Sequence, residues 1–129
     1  MESVSQPANQ KQVLGHAGED VACRELERHG YQILARRYRT RFGEIDIVAS
    51  DAGTTVFVEV KARRGNRFGA AAESIPVWKR RRIGAMALDY LAWTGTLNTP
   101  CRFDVVAIDG LGRAGETVQV IRDAWVLDG

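Results

Sequence analysis

Residues 43 to 61 read G-E-I-D-I-V-A-S-D-A-G-T-T-V-F-V-E-V-K. Two runs rich in Ile and Val meet at Asp51-Ala52-Gly53-Thr54, the pattern of two strands joined by a tight turn at Ala52-Gly53. Side chains alternate across a strand. Glu44 and Asp46 are therefore expected on one face, with Ile45 and Ile47 on the other, and Glu59 and Lys61 share a face in the same way. With Asp51 opposite Thr54, counting back along the ladder sets Asp46 opposite Glu59 and Glu44 opposite Lys61.

Like charges directly opposite each other on a sheet are destabilising by roughly 0.2 to 1 kcal/mol. A divalent cation between the two carboxylates reverses the sign of that interaction, and hard oxygen ligands suit Mg²⁺ or Mn²⁺. A solvated hairpin face carrying ordinary alternating charges is the other reading, for Glu44 above all.

The sequence around the hairpin is basic. Arg36, Arg37, Arg39 and Arg41 lead into it, Lys61, Arg63, Arg64 and Arg67 leave it, and Lys79, Arg80, Arg81 and Arg82 follow. These twelve are two thirds of the eighteen Lys and Arg residues, although the net charge is only +2. Such clustering around a candidate metal site is the footprint expected for a phosphate backbone. Solubilising runs are the alternative.

At 129 residues the chain fits one domain, residues 13–129 behind a loose polar tail at 1–12, and a domain of this size buries roughly 65 to 70% of its unfolded surface. Cys23 and Cys101 stand in apolar surroundings without metal-type spacing, as expected of reduced, buried thiols in a cytoplasmic protein. No apolar run approaches the ~20 residues of a membrane span, and the first twelve residues lack a signal-peptide core.

From Val13 to His29 the periodicity is helical and stops at Gly30. Gly15, Gly18, Ala22, Cys23 and Leu26 fall on one side, and the two glycines would let the helix approach a sheet closely. Glu19 lies within that apolar side. A carboxylate there is costly without a cation or a donor, so Glu19 is a third candidate acid, or else a helix-terminus acid favoured by the dipole. Tyr31 to Tyr38 reads as a first strand, running antiparallel into the hairpin. The glycine-bearing basic segment after Lys61 reads as a loop, where Phe68 anchors the loop or stacks on a base.

A second helix is expected from Ser74 to Trp93, with Pro76 in its first turn and Ile83, Ala87, Tyr90 and Leu91 as its core stripe. Lys79, at the edge of that stripe, could reach a phosphate, whereas Arg81 and Arg82 point elsewhere. Strands follow at Phe103 to Ile108 and Val118 to Ile121. Asp104, in R-F-D-V-V, is read as structural and paired with Arg102 or a helix residue. His16 and His29 are too far apart for a zinc site or a nucleophile triad, and neither a Walker loop nor a dinucleotide fingerprint is present.

Asp46 followed after the hairpin turn by Glu59-Val60-Lys61 resembles the PD-(D/E)XK nuclease signature, with Ile45 where the motif has proline. The series G-E-D (18–20), G-Y-Q-I-L (30–34), G-E-I-D-I-V (43–48), V-F-V-E-V-K (56–61) and R-F-D-V-V (102–106) resembles the YraN family of small bacterial proteins from Leu14 onward. That family is similar to archaeal Holliday-junction resolvases. The resemblance implies an α/β fold with a restriction-endonuclease-like αβββαβ core, a mixed sheet flanked by helices. It also implies a Mg²⁺ or Mn²⁺ site built from Asp46, Glu59, Glu19 and the Val60 carbonyl, with Lys61 beside the attacking water.

The activity so implied is metal-dependent cleavage of branched or single-strand-containing DNA in recombination or repair. Arg36, Arg37, Arg39, Arg41, Arg63, Arg64, Arg67, Lys79 and Arg80 would grip the backbone, and a homodimer would make paired cuts. Two alternatives remain: a non-catalytic nucleic-acid-binding adaptor, for example for a branch-migrating helicase, and an interaction domain whose acids form an internal ion network.

Overall fold

The computed structural model describes residues 10–65 and 75–127. The chain runs α1 (Gln10–Arg28), β1 (Gln32–Thr40), β2 (Gly43–Asp51), β3 (Thr54–Ala62), α2 (Val77–Thr94), β4 (Cys101–Asp109) and β5 (Thr117–Trp125). The strands form one sheet in the order β1-β2-β3-β4-β5. Only β3 and β4 are parallel, and α2 makes the crossover that a parallel pair requires. This is the mixed sheet of the expected restriction-endonuclease-like αβββαβ core, extended by β5.

The hairpin forms as its turn residues dictate. Ala52 and Gly53 both have positive φ, +50° and +90°, the requirement of a two-residue turn whose twist matches the strands it joins. Asp51 pairs with Thr54, and the register runs unbroken to Ile47 opposite Val58.

The sheet divides two cores. On one face Ala22, Cys23 and Leu26 of α1 pack on Ile47, Ala49, Val56, Val58, Val106 and Ile108. Gly18 sets the approach of α1, because a Cβ there would stand 3.0 Å from the Cβ of Ala62. Among the described residues nothing lies within 4 Å of a Cβ placed at Gly15, so of the two glycines Gly18 is the one seen to serve the packing. On the other face Ile83, Met86, Ala87 and Leu91 of α2 cover Ile45, Val48, Phe57, Phe103 and Val105. Ring contacts from Tyr38 to Tyr90 (5.1 Å), Tyr90 to Phe57 (5.7 Å) and Phe57 to Phe103 (5.8 Å) tie that helix down.

Several boundaries differ from expectation. The first helix begins at Gln10, three residues ahead of Val13, so the tail expected at 1–12 is shortened and its remainder lies outside the described residues. Pro76 caps α2 rather than lying in its first turn: its carbonyl accepts from the N–H groups of Lys79 and Arg80. At the other end Gly95 takes the left-handed conformation while Thr96 N–H reaches back to the Leu91 carbonyl, a normal glycine stop. Cys23 is buried but Cys101 is exposed at the start of β4, and both are free thiols. Among the described residues no helix is long and apolar enough to cross a membrane.

Candidate metal and nucleic-acid site

The expected alternation of β2 fails at one place. Ile45 belongs to the core under α2 and Ile47 to the core under α1, so these two do not share a face. The break lies at Asp46 and at Arg37, its neighbour on β1, which has φ +50°. A left-handed residue reverses the sense of alternation, and Ile45 and Tyr38 thereby both come under α2.

At the same point β2 and β3 part. Their ladder ends at Ile47 and Val58, whereas β3 stays paired with β4 as far as Ala62 and Ile108. Glu44 and Lys61 consequently do not face each other on a ladder, and Glu44 lies 3.6 Å from Arg39 instead. The Asp46 carboxylate turns into the gap and accepts the Val60 N–H at 2.8 Å. Strand divergence thus places a carboxylate where a backbone carbonyl would otherwise sit.

Glu59 arrives from β3. Val58 and Val60 pack in the α1 core, so alternation sends Glu59 and Lys61 to the α2 face. The Asp46 and Glu59 carboxyls come within hydrogen-bonding reach, and both line a cleft of about 170 Å³ with Gly43, Glu44, Lys79, Arg82, Ile83 and Met86. Burial, then the adjacent Glu59, pushes the Asp46 carboxyl far above the carboxylate range, while the Val60 N–H opposes the shift. Holding a second acid this close favours the protonated form of Asp46.

Other positions are distributed less simply. Glu19 is buried, 6% exposed, with one oxygen 3.2 Å from Arg37 Nε and 3.8 Å from Arg36. Burial raises its pKa and the two arginines lower it. It contributes to the Asp46 shift but does not line the cleft. Among the described residues no group of three or more His, Cys, Asp or Glu side chains is gathered closely enough to hold a metal ion. Asp46 and Glu59 still fit Mg²⁺, which is bound through one or two carboxylates while keeping several waters and substrate oxygens, unlike cations held in an all-protein cage.

The basic residues divide into two kinds. Arg36 binds Asp20 at 2.6 Å, Arg37 meets Glu19, and Arg80 Nε donates to the Ile75 carbonyl at 2.8 Å, so these three are engaged within the fold. Arg39 is exposed beside Glu44, Arg41 lies over the Phe42 ring, and Arg63 and Arg64 leave β3 on the surface. Lys79 is paired within the cleft: its Nζ is 2.5 Å from Glu59 Oε1. Arg82, expected to point elsewhere, lines the cleft and lies 4.8 Å from the Trp78 ring centroid. Its i, i+3 relation to Lys79 was the available signal. Ser74, Arg67 and Phe68 lie outside the described residues.

Asp104 is structural, as expected. One oxygen accepts from Arg102 Nε and the Asp123 N–H, each at 2.9 Å, and the other from Tyr31 at 2.7 Å and Arg102 at 3.0 Å.

The model of the uncharacterised protein family UPF0102 matches residues 18–108, from Gly18 of α1 to the end of β4. The chain belongs to the UPF0102 family. A UPF0102 protein of Symbiobacterium thermophilum is 49% identical over 96 residues, covering 74% of this chain and 81% of the relative. One from Desulfosudis oleivorans is 46% identical over 117 residues, 91% and 93% of the two chains. A third, from Geobacter sulfurreducens, is 40% identical over 124 residues, 96% and 97%. The matched segment of this UPF0102 chain contains the three carboxylates that line the cleft, Glu44, Asp46 and Glu59, together with Lys61, Lys79 and Arg82.

Proposed function

We propose that this protein is a metal-dependent endonuclease acting on branched or single-strand-containing DNA, in recombination or repair. The observation that carries the reading is the convergence of Asp46 and Glu59 where β2 and β3 separate. A buried carboxyl pair without a cation is disfavoured by both burial and mutual repulsion, and a hard divalent cation relieves both.

Mg²⁺ or Mn²⁺ held there would neutralise charge on the scissile phosphate and activate a bound water. Asp46 and Glu59 supply the anionic ligands, and the Val60 carbonyl is a further candidate. Glu19 acts behind them, with Arg37 compensating its charge. Lys61, two residues beyond Glu59 on the same strand, would hold the attacking water or the developing phosphorane charge. Arg39 and Arg41 near the β1–β2 turn and Arg63 and Arg64 beyond β3 lie at the same end of the sheet, and they would bind the backbone without reading bases. A homodimer would pair two such clefts for paired cuts.

A second reading, a non-catalytic adaptor that delivers nucleic acid to a partner such as a branch-migrating helicase, is favoured by the Lys79–Glu59 ion pair, which neutralises Glu59 without a metal. Incubating junction, flap and duplex DNA with Mg²⁺ or Mn²⁺ separates the two. Cleavage by the wild type that Asp46→Asn and Lys61→Ala abolish, with binding retained, is the expected result. Salt-dependent binding without cleavage of any substrate in either metal would establish the adaptor.

A further inference from the structure

Lys79 stands in the cleft on terms different from the surface cations around it. Its ammonium reaches down from the first turn of α2 to Glu59, whose side chain is 11% exposed, while its own side chain is 40% exposed. The acid stands on the central strand of the sheet, whereas the lysine is carried on a four-carbon stem with several rotatable bonds. Of the two, Lys79 is the more exposed and has the more adaptable side chain.

The ion pair occupies an oxygen that a divalent cation would take. An ammonium and a divalent cation both repel each other and compete for the same carboxylate. Arg82, one turn further along α2, lines the same cleft, so a lysine released from Glu59 remains beside a second cation at its rim. A phosphate oxygen is the anion chemistry such a pair would accept.

We infer that Lys79 is the resident counter-cation of the cleft, displaced from Glu59 when a divalent cation enters and transferred to a phosphate oxygen of the bound nucleic acid. The inference rests on the metal-site reading above. It makes Lys79 a positioning residue that couples cation entry to backbone binding: the protein holds Glu59 neutralised until metal arrives, and only then presents an additional charge to DNA.

The test is Mn²⁺ affinity by calorimetry on wild type, Lys79→Met, Lys79→Arg and Asp46→Asn, followed by junction-DNA binding in Ca²⁺ and in EDTA. With the competitor removed, Lys79→Met is expected to bind Mn²⁺ about three- to tenfold more tightly than wild type. Lys79→Arg, which keeps the charge, is expected to return the affinity towards the wild-type value. Wild-type DNA affinity is expected to rise from EDTA to Ca²⁺ by a larger factor than that of Lys79→Met. A lysine that merely holds Glu59 in place would give the reverse, weaker Mn²⁺ binding in Lys79→Met, and that result, or an unchanged affinity, overturns the inference while leaving the metal site standing. Wild type and variants all failing to bind Mn²⁺ would overturn both the metal-site reading and the inference.

Discussion

Asp104 on β4 and Asp46 on β2 are acids at nearly the same level of one sheet, since Asp104 and Ile47, the residue after Asp46, both pair with Val58, yet their surroundings differ in kind. On β4, each Asp104 oxygen accepts two hydrogen bonds, and Arg102 carries the network on to Asp51, 2.9 Å away. On β2, the Asp46 carboxyl receives one backbone N–H and is pressed against a second acid. The first arrangement is complete with protein groups alone. In the second, two acids meet, and the cations of the same cleft are Lys79, paired with Glu59, and Arg82. Burial of a carboxylate therefore says little by itself; the number and sign of its partners separate an acid that holds the fold from one available to a ligand.

The sharpest way to break that comparison is Asp104→Ala. It leaves Arg102, the Tyr31 hydroxyl and the Asp123 N–H without their acceptor, and losing one partner of a buried ion pair costs about 3 to 5 kcal/mol. Urea denaturation should show that loss while Mn²⁺ affinity stays unchanged. A cost under 1 kcal/mol would mean that the two acids are not as different as their geometry.

Next in size is stabilisation by metal. At a concentration a hundred times its dissociation constant, a ligand that binds only the folded state stabilises it by about 2.7 kcal/mol. Wild type should gain that from Mg²⁺ or Mn²⁺ in thermal denaturation, Asp46→Asn should not, and Asp104→Asn, if folded, should gain as much as wild type.

The pH dependence of the metal-free protein sharpens the comparison further. The Asp46 pKa is raised from 3.8 to about 8 on folding. The folded state therefore binds its proton more tightly than the unfolded state, and the associated stability is fully present below pH 4 and lost as pH rises through about 8. Asp46→Asn should flatten this decline between pH 5 and 9. At pH 8 the metal-free variant should be more stable than wild type by about 1 to 2 kcal/mol, read from urea denaturation in EDTA. Equal slopes for the two proteins would refute the raised pKa.

The smallest effect belongs to the rim of the structural network. Arg122, 61% exposed, meets Asp51 at 2.8 Å, and an exposed pair of this kind contributes about 0 to 1 kcal/mol. Arg122→Ala should be close to neutral. A larger loss would extend the network to the surface.

The local features that the sequence made legible were those set by neighbours along the chain. The positive φ available to Gly53 and the alternation of Thr54 to Lys61 placed the hairpin turn and its register, and the helical spacing of Ala22, Cys23 and Leu26 placed the buried side of α1. The pairing of Arg102 with Asp104 was legible for the same reason, since residues two apart on a strand share a face. The reversal at Arg37 was not, because a left-handed non-glycine residue carries no local signature and is held by the packing around it.

Sequence alone determined where the hairpin turns and the level at which Asp46 and Glu59 stand on neighbouring strands, since turn chemistry and strand register act over a few residues, whereas the break in alternation at Asp46 that turns its carboxyl into the cleft was not legible. Tertiary structure decided what surrounds that pair: the parting of β2 from β3, the arginines consumed by Glu19 and Asp20, and the lysine of α2 lying on Glu59. Those outcomes depend on how a helix and a loop far along the chain dock on the sheet, and long-range packing, unlike periodicity, leaves no pattern in a single stretch of residues.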